Sequence, residues 1–144
     1  MDEEFNTPCM VIDSSALLSE ILPNEETPAQ IVEIFEKYNA LKQSFIAPPL
    51  LSYEVTNSLR SAVLQKKITD QLSRELLSEY LRMSIILIEP HFPTVLHLAI
   101  LHKLSAYDAS YLALAVDHKI PLVTLDRKLS RLSPPTIAVA KARA

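Results

Sequence analysis

Two aspartates lie where a parallel sheet would place carboxylates for chemistry. Asp13 and Asp126 each follow a short apolar run, residues 9–12 and 121–125, that is typical of a buried strand. Ligands of open parallel sheets bind beyond the carboxyl ends of the strands, so we expect both side chains at one edge of the sheet. Each aspartate also has the sequence context of a helix N-cap, and that simpler interpretation stays open.

Asp108 and Glu54 extend this acidic set to four. Asp108 is predicted to begin a helix, with the same capping alternative. Glu54 falls at the margin of the apolar stripe of its predicted helix, whereas a solvated glutamate favours the opposite side; an ordinary, partly exposed position is the alternative. Four converging carboxylates without matching lysines or arginines repel one another unless hard divalent cations neutralise them. Mg²⁺ or Mn²⁺ suits such oxygen ligands, and metal-activated water can then hydrolyse phosphodiesters.

Composition excludes several other classes of site. The 144-residue chain has no glycine, so glycine-rich phosphate loops, the dinucleotide fingerprint, the nucleophile elbow and the EF-hand loop are absent. Its single cysteine cannot form an internal disulfide, and its four histidines lack zinc-binding spacing. The net charge of −3 argues against a general DNA-coating protein. No apolar run reaches the roughly 20 residues of a membrane span, and we expect a cytoplasmic protein.

The elements that must position the four acids alternate along the chain. Apolar runs predict strands at 9–12, 44–47, 84–88 and 121–125, with a fifth candidate at 136–140. Helical periodicity predicts helices at 14–20, 28–41, 50–65, 70–81, 93–104, 108–117 and 127–132. Thr27 and Thr69 are the predicted N-caps of the second and fourth helices. The pattern predicts one α/β domain over residues 1–144, with flexible tails at 1–8 and 141–144 and helices on both faces of the sheet.

The four acids lie in segments that together resemble the motifs of the PIN-domain ribonucleases, most closely the VapC-type toxins of toxin–antitoxin pairs. The segments are VIDSSAL at 11–17, YEVTNSL at 53–59, AYDASYLALA at 106–115 and PLVTLDR at 121–127. Each motif is weak alone, whereas the ordered set is specific. The resemblance covers about residues 9–140 and implies a three-layer α/β/α sandwich with a central parallel sheet of four to five strands.

The resemblance also implies roles for individual residues. The acidic cluster consists of Asp13, Glu54, Asp108 and Asp126. It would bind Mg²⁺, with Mn²⁺ as the alternative, and would support cleavage of single-stranded RNA. Ser14 and Thr124 match small hydroxyl positions beside the acids, where they would orient a carboxylate or a water; capping and strand packing are the alternatives. Asn57, one turn after Glu54, is a further candidate for that role or an ordinary surface residue.

Basic and aromatic residues near the acids are candidates for RNA contacts. A basic run after Asp126 would hold RNA phosphates or form a solvated face: Arg127, Lys128 and Arg131. Tyr107 and Tyr111 flank Asp108 and have the chemistry to stack on bases, although core or dimer contacts are commoner for tyrosines at helical spacing.

The resemblance implies partners as well as a reaction. It predicts the toxin of a type II toxin–antitoxin pair, inhibited by a cognate antitoxin protein that covers the acidic site or packs beside the helices at 50–81. The apolar residues around most of the 93–104 helix favour a homodimer. The alternative is a non-catalytic PIN-like module that binds RNA or protein, and the four intact acids argue against it.

One turn departs from the family pattern. Related chains often place a glycine just before the strand that corresponds to residues 121–125, whereas residues 118–120 here are His, Lys and Ile. Either a non-glycine residue adopts the left-handed conformation, at a cost of about 1–2 kcal/mol, or the turn takes another shape.

Overall fold

The computed structural model describes residues 8–23 and 26–134. Within them, four parallel strands form one sheet in the order β3-β2-β1-β4. The strands are β1 (Cys9–Ile12), β2 (Ser44–Ala47), β3 (Ile86–Leu87) and β4 (Leu122–Val123). The helices are α1 (Ser14–Ile21), α2 (Ala29–Asn39), α3 (Leu50–Leu64), α4 (Asp70–Arg82), α5 (Phe92–His102), α6 (Ala106–His118) and α7 (Arg127–Leu132).

Strand order determines how the helices cover the sheet. The chain moves from β1 to β2 to β3 through α1–α2 and α3–α4, and then returns past β1 to β4 through α5–α6. Right-handed crossovers place the first two helix pairs on one face and α5–α6 on the other. Consecutive residues of β1 and of β4 are fully buried, as expected for strands covered on both sides. The predicted three-layer α/β architecture is confirmed.

Helix α6 is the central helix of the core. Its residues Ala109–Ala115 are all buried, and it contacts β1, β4, α5 and α7. Alanines on three of these positions allow close approach to the sheet, while Leu112 alone contributes about 1.5–3 kcal/mol by leaving water. Burial on all sides fixes the first turn of α6 relative to the ends of β1 and β4.

Two predicted strands are shorter in the structure. Instead of 84–88, only Ile86–Leu87 pairs in the ladder, because β3 is an edge strand with β2 as its one neighbour and both its side chains are exposed. The run at 121–125 is reduced to Leu122–Val123, and β1 is its one partner among the described strands. Ladder length depends on neighbouring strands, which apolar patterning does not report.

Helix starts confirm some capping predictions and contradict others. Thr69 caps α4 by accepting a hydrogen bond from the Leu72 N–H at 3.0 Å. The prediction for Thr27 is wrong: Pro28 is the N-cap of α2, and the Thr27 hydroxyl instead donates to the Ser19 carbonyl at 2.6 Å. A hydroxyl near a helix start has alternative backbone acceptors, and tertiary proximity selected one of them.

Two predictions fall outside the described residues, namely the fifth strand at 136–140 and almost all of both flexible tails. Of the helices that the structure describes, none combines the length and the apolar character needed to cross a bilayer.

Four helices end at a residue with positive φ, and none of these residues is glycine. These residues are Leu41 after α2, Lys66 after α3, Lys103 after α5 and Lys119 after α6. Their φ angles lie between 55° and 61°. All four side chains are exposed, so the left-handed conformation creates no packing conflict. At Lys119, φ is 56° and ψ is 44°, and its N–H bonds to carbonyls of the last turn of α6. Of the two alternatives for this turn, the strained left-handed residue is the one adopted.

We predict that Lys119→Gly stabilises the protein. Glycine removes the left-handed penalty of about 1–2 kcal/mol but adds unfolded-state entropy, leaving a gain of about 0.5–1 kcal/mol and a melting temperature about 3 °C higher. Lys37→Gly is the matched control, because Lys37 lies inside α2 and the same change there costs about 1 kcal/mol. Urea and thermal unfolding measure the stability of both variants against wild type. A Lys119→Gly protein that is less stable than wild type contradicts the prediction.

Candidate active site

Asp13 lies at the point where the strand order reverses. From β1 the chain proceeds to β2 and β3 on one side, and β4 lies on the other. Such a switch point opens a crevice at the carboxyl ends of the strands. Ile12 pairs with Val123, and the Asp13 N–H donates to the Val123 carbonyl at 3.1 Å, which brings Asp13 beside Thr124.

Three groups hold the Asp13 carboxylate. Oδ1 accepts from the Ser15 hydroxyl at 2.7 Å and from the Ala16 N–H at 3.0 Å, while Oδ2 accepts from the Thr124 hydroxyl. The capping role considered for Asp13 is therefore real, and it coexists with a position at the crevice. Asp13 is only 5% exposed, and within the described part of the chain it pairs with no lysine or arginine.

Burial dominates the titration of Asp13. Loss of hydration raises its pKa from 3.8 to about 6, although its hydrogen bonds to Thr124, Ser15 and Ala16 favour the ionised form. The charge of Glu54 adds to the increase. An anion with this much burial and no cationic partner is destabilising at neutral pH, so the carboxylate is suited to accept a cation.

Two hydroxyls connect the ends of β1 and β4 around Asp13. Ser15 Oγ accepts from the Leu125 N–H at 2.9 Å and lies 3.4 Å from Thr124 Oγ1. Thr124 Oγ1, fully buried, accepts from the Asp126 N–H at 2.9 Å. Thr124, a predicted site residue, thus contacts the Asp13 carboxylate. Ser15 was not among the predicted site residues. Its position two residues after a capping aspartate is a local signal that makes it detectable.

Glu54 is held from the opposite helix by a residue with an unexpected role. The Tyr111 hydroxyl donates to Glu54 Oε1 at 2.5 Å, and Tyr111 is 2% exposed. The sequence favoured a core or dimer contact for Tyr111; it is a core residue whose polar end orients a carboxylate. Tyr111 lies three residues after Asp108, a spacing that puts both on one face of α6. That spacing is the signal for its role.

The pKa of Glu54 is raised by burial and by the charge of Asp108. The hydrogen bond from Tyr111 and the Ser14 side chain lower it. Ser14, a candidate from the sequence, therefore interacts with Glu54 through its side chain.

Asp108 and Asp126 form the outer part of the acidic set. The capping alternative is wrong for Asp108, because Ser105 caps α6 by accepting from the Asp108 N–H at 3.1 Å and the helix starts at Ala106. It is correct for Asp126, whose Oδ1 accepts from the Leu129 N–H at 2.9 Å. Burial and the Asp126 charge raise the pKa of Asp108, while Lys128 lowers it.

The structure brings the four acids into a connected series. Asp13 interacts electrostatically with Glu54, Glu54 with Asp108, and Asp108 with Asp126. Yet no three acidic, histidine or cysteine side chains in residues 8–23 and 26–134 lie close enough to hold one ion together. Mg²⁺ commonly takes only one or two carboxylates and completes its coordination with waters and phosphate oxygens. The oxygen-only donors and the unpaired buried anion fit such a hydrated divalent ion.

The remaining predicted residues lie at the margin of this acidic series. Asn57 is exposed on α3 and makes no hydrogen bond to the four acids. The basic side chains of α7 are exposed, namely Arg127, Lys128 and Arg131. Lys128 is near enough to lower the pKa of Asp108.

We predict that ionisation of Asp13 costs stability. A folded-state pKa of about 6 against 3.8 means that the folded chain holds this proton more tightly, so stability falls as pH rises from about 4 to about 6, by about 3 kcal/mol in full. Asp13→Asn lacks this titration. The free energy of unfolding of wild type and of the variant is measured by urea unfolding in EDTA at about pH 4 and about pH 7. From the lower to the higher pH, the variant should gain about 2 kcal/mol of stability relative to wild type. A pH-independent difference contradicts the prediction.

Comparison with known proteins identifies relatives that share this sequence pattern and fold. Residues 10–133 match the sequence profile of the family described as PIN domain. The chain is 38% identical over 93 residues to Ribonuclease VapC1 of Mycobacterium tuberculosis, covering 62% of this chain and 69% of that protein. It is 28% identical over 129 residues to Ribonuclease VapC3 of Pyrobaculum aerophilum, covering 87% and 95%. The crystal structure of PAE2754 from Pyrobaculum aerophilum superposes with a TM-score of 0.70 at 24% identity, covering 92% of this chain and 93% of that one. Since the profile match spans nearly the whole chain, the chain belongs to the PIN domain family.

Proposed function

We propose that this protein is a divalent-metal-dependent endoribonuclease that hydrolyses phosphodiester bonds of single-stranded RNA. One observation carries the proposal: a buried Asp13 carboxylate, without a lysine or arginine partner among the described residues, lies at the switch point of the sheet, next to Glu54 and the acids at the start of α6 and α7. A scaffold that only binds partners gains nothing from such self-repulsion. The two curated relatives, both named as ribonucleases, support the same activity.

The acidic series of Asp13, Glu54, Asp108 and Asp126 would hold Mg²⁺ or Mn²⁺. Each ion would take one or two of these carboxylates. When bound, the ion would supply Lewis-acid stabilisation of phosphoryl oxygens and lower the pKa of water towards neutrality. The chain itself contributes preorganisation. Thr124 and Ser15 orient the Asp13 carboxylate, and Tyr111 orients Glu54, so little reorganisation is needed when substrate binds.

The positive charge of α7 would bind phosphates of the substrate. The basic run lies directly after Asp126 and is exposed, so it is available to backbone phosphates as they approach the acids: Arg127, Lys128 and Arg131. Lys128 interacts with Asp108 electrostatically, which places its charge at the margin of the acidic series.

The protein's partners follow from the same proposal. The VapC names of the relatives support a toxin of a type II toxin–antitoxin pair that acts in the cytoplasm and is inhibited by a cognate antitoxin. Helix α5 supports a homodimer, because Val95 and Leu98 are buried while other large apolar side chains of the same helix are exposed: Phe92, Leu96, Ile100 and Leu101.

We predict that neutralising any of the four acids abolishes cleavage. Asp13→Asn, Glu54→Gln, Asp108→Asn and Asp126→Asn should each lower the rate on labelled single-stranded RNA by about 100-fold or more, because each removes a negatively charged oxygen ligand. Asp117→Asn is the matched control: Asp117 is exposed at the far end of α6 from Asp108, and its loss should leave the rate unchanged.

Metal dependence is measured with the same proteins. EDTA should stop cleavage, and Mg²⁺ or Mn²⁺ should restore it and raise the melting temperature of wild type more than that of Asp13→Asn. Cleavage in EDTA, or full activity of the acid variants, contradicts the proposal. RNA binding without cleavage under any of these conditions identifies the non-catalytic module instead.

We predict that Tyr111→Phe shifts the acidic limb of the pH–rate profile to higher pH. The lost hydroxyl stabilises ionised Glu54, so its removal raises the Glu54 pKa further, and a higher pH is needed to ionise the carboxylate. Tyr80→Phe is the control, because the Tyr80 hydroxyl pairs with Ser52 at 2.8 Å and contacts none of the acids. An unchanged acidic limb in Tyr111→Phe contradicts this role.

A further inference from the structure

An apolar cavity lies beside the acidic series at the same edge of the sheet. Its volume is about 240 Å³, and its walls come from the residues that follow β2, the residues that follow β3 and the first turn of α6. It is smaller than the roughly 300 Å³ at which pockets for drug-sized ligands begin, yet roomy enough for a planar ring system. None of the residues assigned to the acidic series lines it.

The walls of this cavity are suited to a flat ring. Pro48 and Pro49 supply rigid apolar faces on one side. Tyr107 is 65% exposed, so one aromatic ring at the cavity is available to a base from solution. Stacking on aromatic side chains is the general means by which proteins hold single-stranded bases, and it contributes about 1–3 kcal/mol per base.

The charged side chain of the cavity wall, Glu89, accepts hydrogen bonds. The Ser110 hydroxyl donates to the Tyr107 carbonyl at 2.6 Å, so only its lone pairs face a ligand. Glu89 contributes an exposed carboxylate, and among residues 8–23 and 26–134 no lysine or arginine lines the walls. A ring edge rich in N–H donors can pair with this carboxylate. Guanine presents two adjacent donors, N1–H and N2–H₂, which match the two oxygens of one carboxylate.

Residues of the cavity wall adjoin the elements that carry two of the four acids. Pro49 directly precedes α3, which carries Glu54, and Tyr107 directly precedes Asp108. Strand β2, whose end forms one wall, is the immediate neighbour of β1 at about 5 Å. A single strand of RNA whose phosphate lies at the four acids therefore has a neighbouring base within reach of the cavity.

We propose that this cavity binds one base of the RNA substrate and selects guanine, through stacking on Tyr107 and hydrogen bonds to Glu89. This inference rests on the proposed ribonuclease activity, because it names the base beside the bond that is cut. Cleavage then occurs at a constant distance from a guanine rather than at random along a single strand.

Base substitution in the RNA tests this directly. The probes are labelled single-stranded oligonucleotides of adenosine with one guanosine, and the same oligonucleotides with inosine, which lacks the N2 amino group. Wild type should bind the guanosine RNA about 10-fold more tightly than the inosine RNA in EDTA, and in Mg²⁺ it should cut at a fixed offset from the guanosine. Glu89→Gln should remove the guanosine preference, and Tyr107→Ala should weaken binding of both RNAs about 10-fold without changing their ratio.

Matched variants control for general surface effects. Glu79→Gln changes an exposed glutamate on α4, and Tyr53→Ala removes an exposed tyrosine outside the cavity. Both should behave as wild type in binding and in the cleavage pattern.

The outcomes separate this inference from the proposed activity. Guanosine preference in binding without any cleavage supports the cavity and overturns the ribonuclease proposal. Cleavage that ignores guanosine, or a preference that survives in Glu89→Gln, overturns the cavity assignment and leaves the ribonuclease proposal intact. A change of oligomeric state in Tyr107→Ala by sedimentation, with the binding of both RNAs unchanged, identifies a subunit contact and also overturns the assignment.

Discussion

The rest of the site depends on the burial of one carboxylate between two parallel strands. Asp13 lies at the end of β1 with β4 beside it, and its oxygens accept hydrogen bonds from Ser15, Ala16 and Thr124. These bonds connect the start of α1 to the end of β4, so the same group joins the strands and supplies the acid. Its ionisation costs about 3 kcal/mol of folding free energy at neutral pH, which a bound cation would offset. Function and stability therefore compete at this residue.

Helix α6 converts core packing into site geometry. Residues 109–115 are buried, so the helix cannot rotate without disrupting contacts with β1, β4 and α5. Its first turn presents Asp108 to the acidic series, Tyr111 reaches Glu54 one turn later, and Tyr107 with Ser110 faces the neighbouring cavity. Acid, orienting hydroxyl and cavity wall thus share one rigid element. A substitution that tilts α6 is expected to disturb all three together.

The absence of glycine has a structural cost and a chemical consequence. Four helices end in left-handed residues that carry side chains, and three of these residues are lysines whose charge lies near a helix C-terminus, where it is favourable. Backbone loops that grip phosphate are unavailable. In the proposed reaction, charge on the substrate would be handled by side chains, through cations held by carboxylates and through the basic residues of α7.

Much of the fold follows from the sequence, because apolar periodicity and turn residues are local properties. The strands β1 and β2, the helix α7 and the cap at Thr69 match the predictions, and the ordered motifs identified the family. Only tertiary structure decided the short ladders of β3 and β4, the different partner of Thr27, and the roles of Ser15 and Tyr111. The physical reason is that a hydrogen bond across the sheet, or between helices far apart in sequence, depends on which elements become neighbours. Residue type indicates which groups can bond, while packing selects their partners.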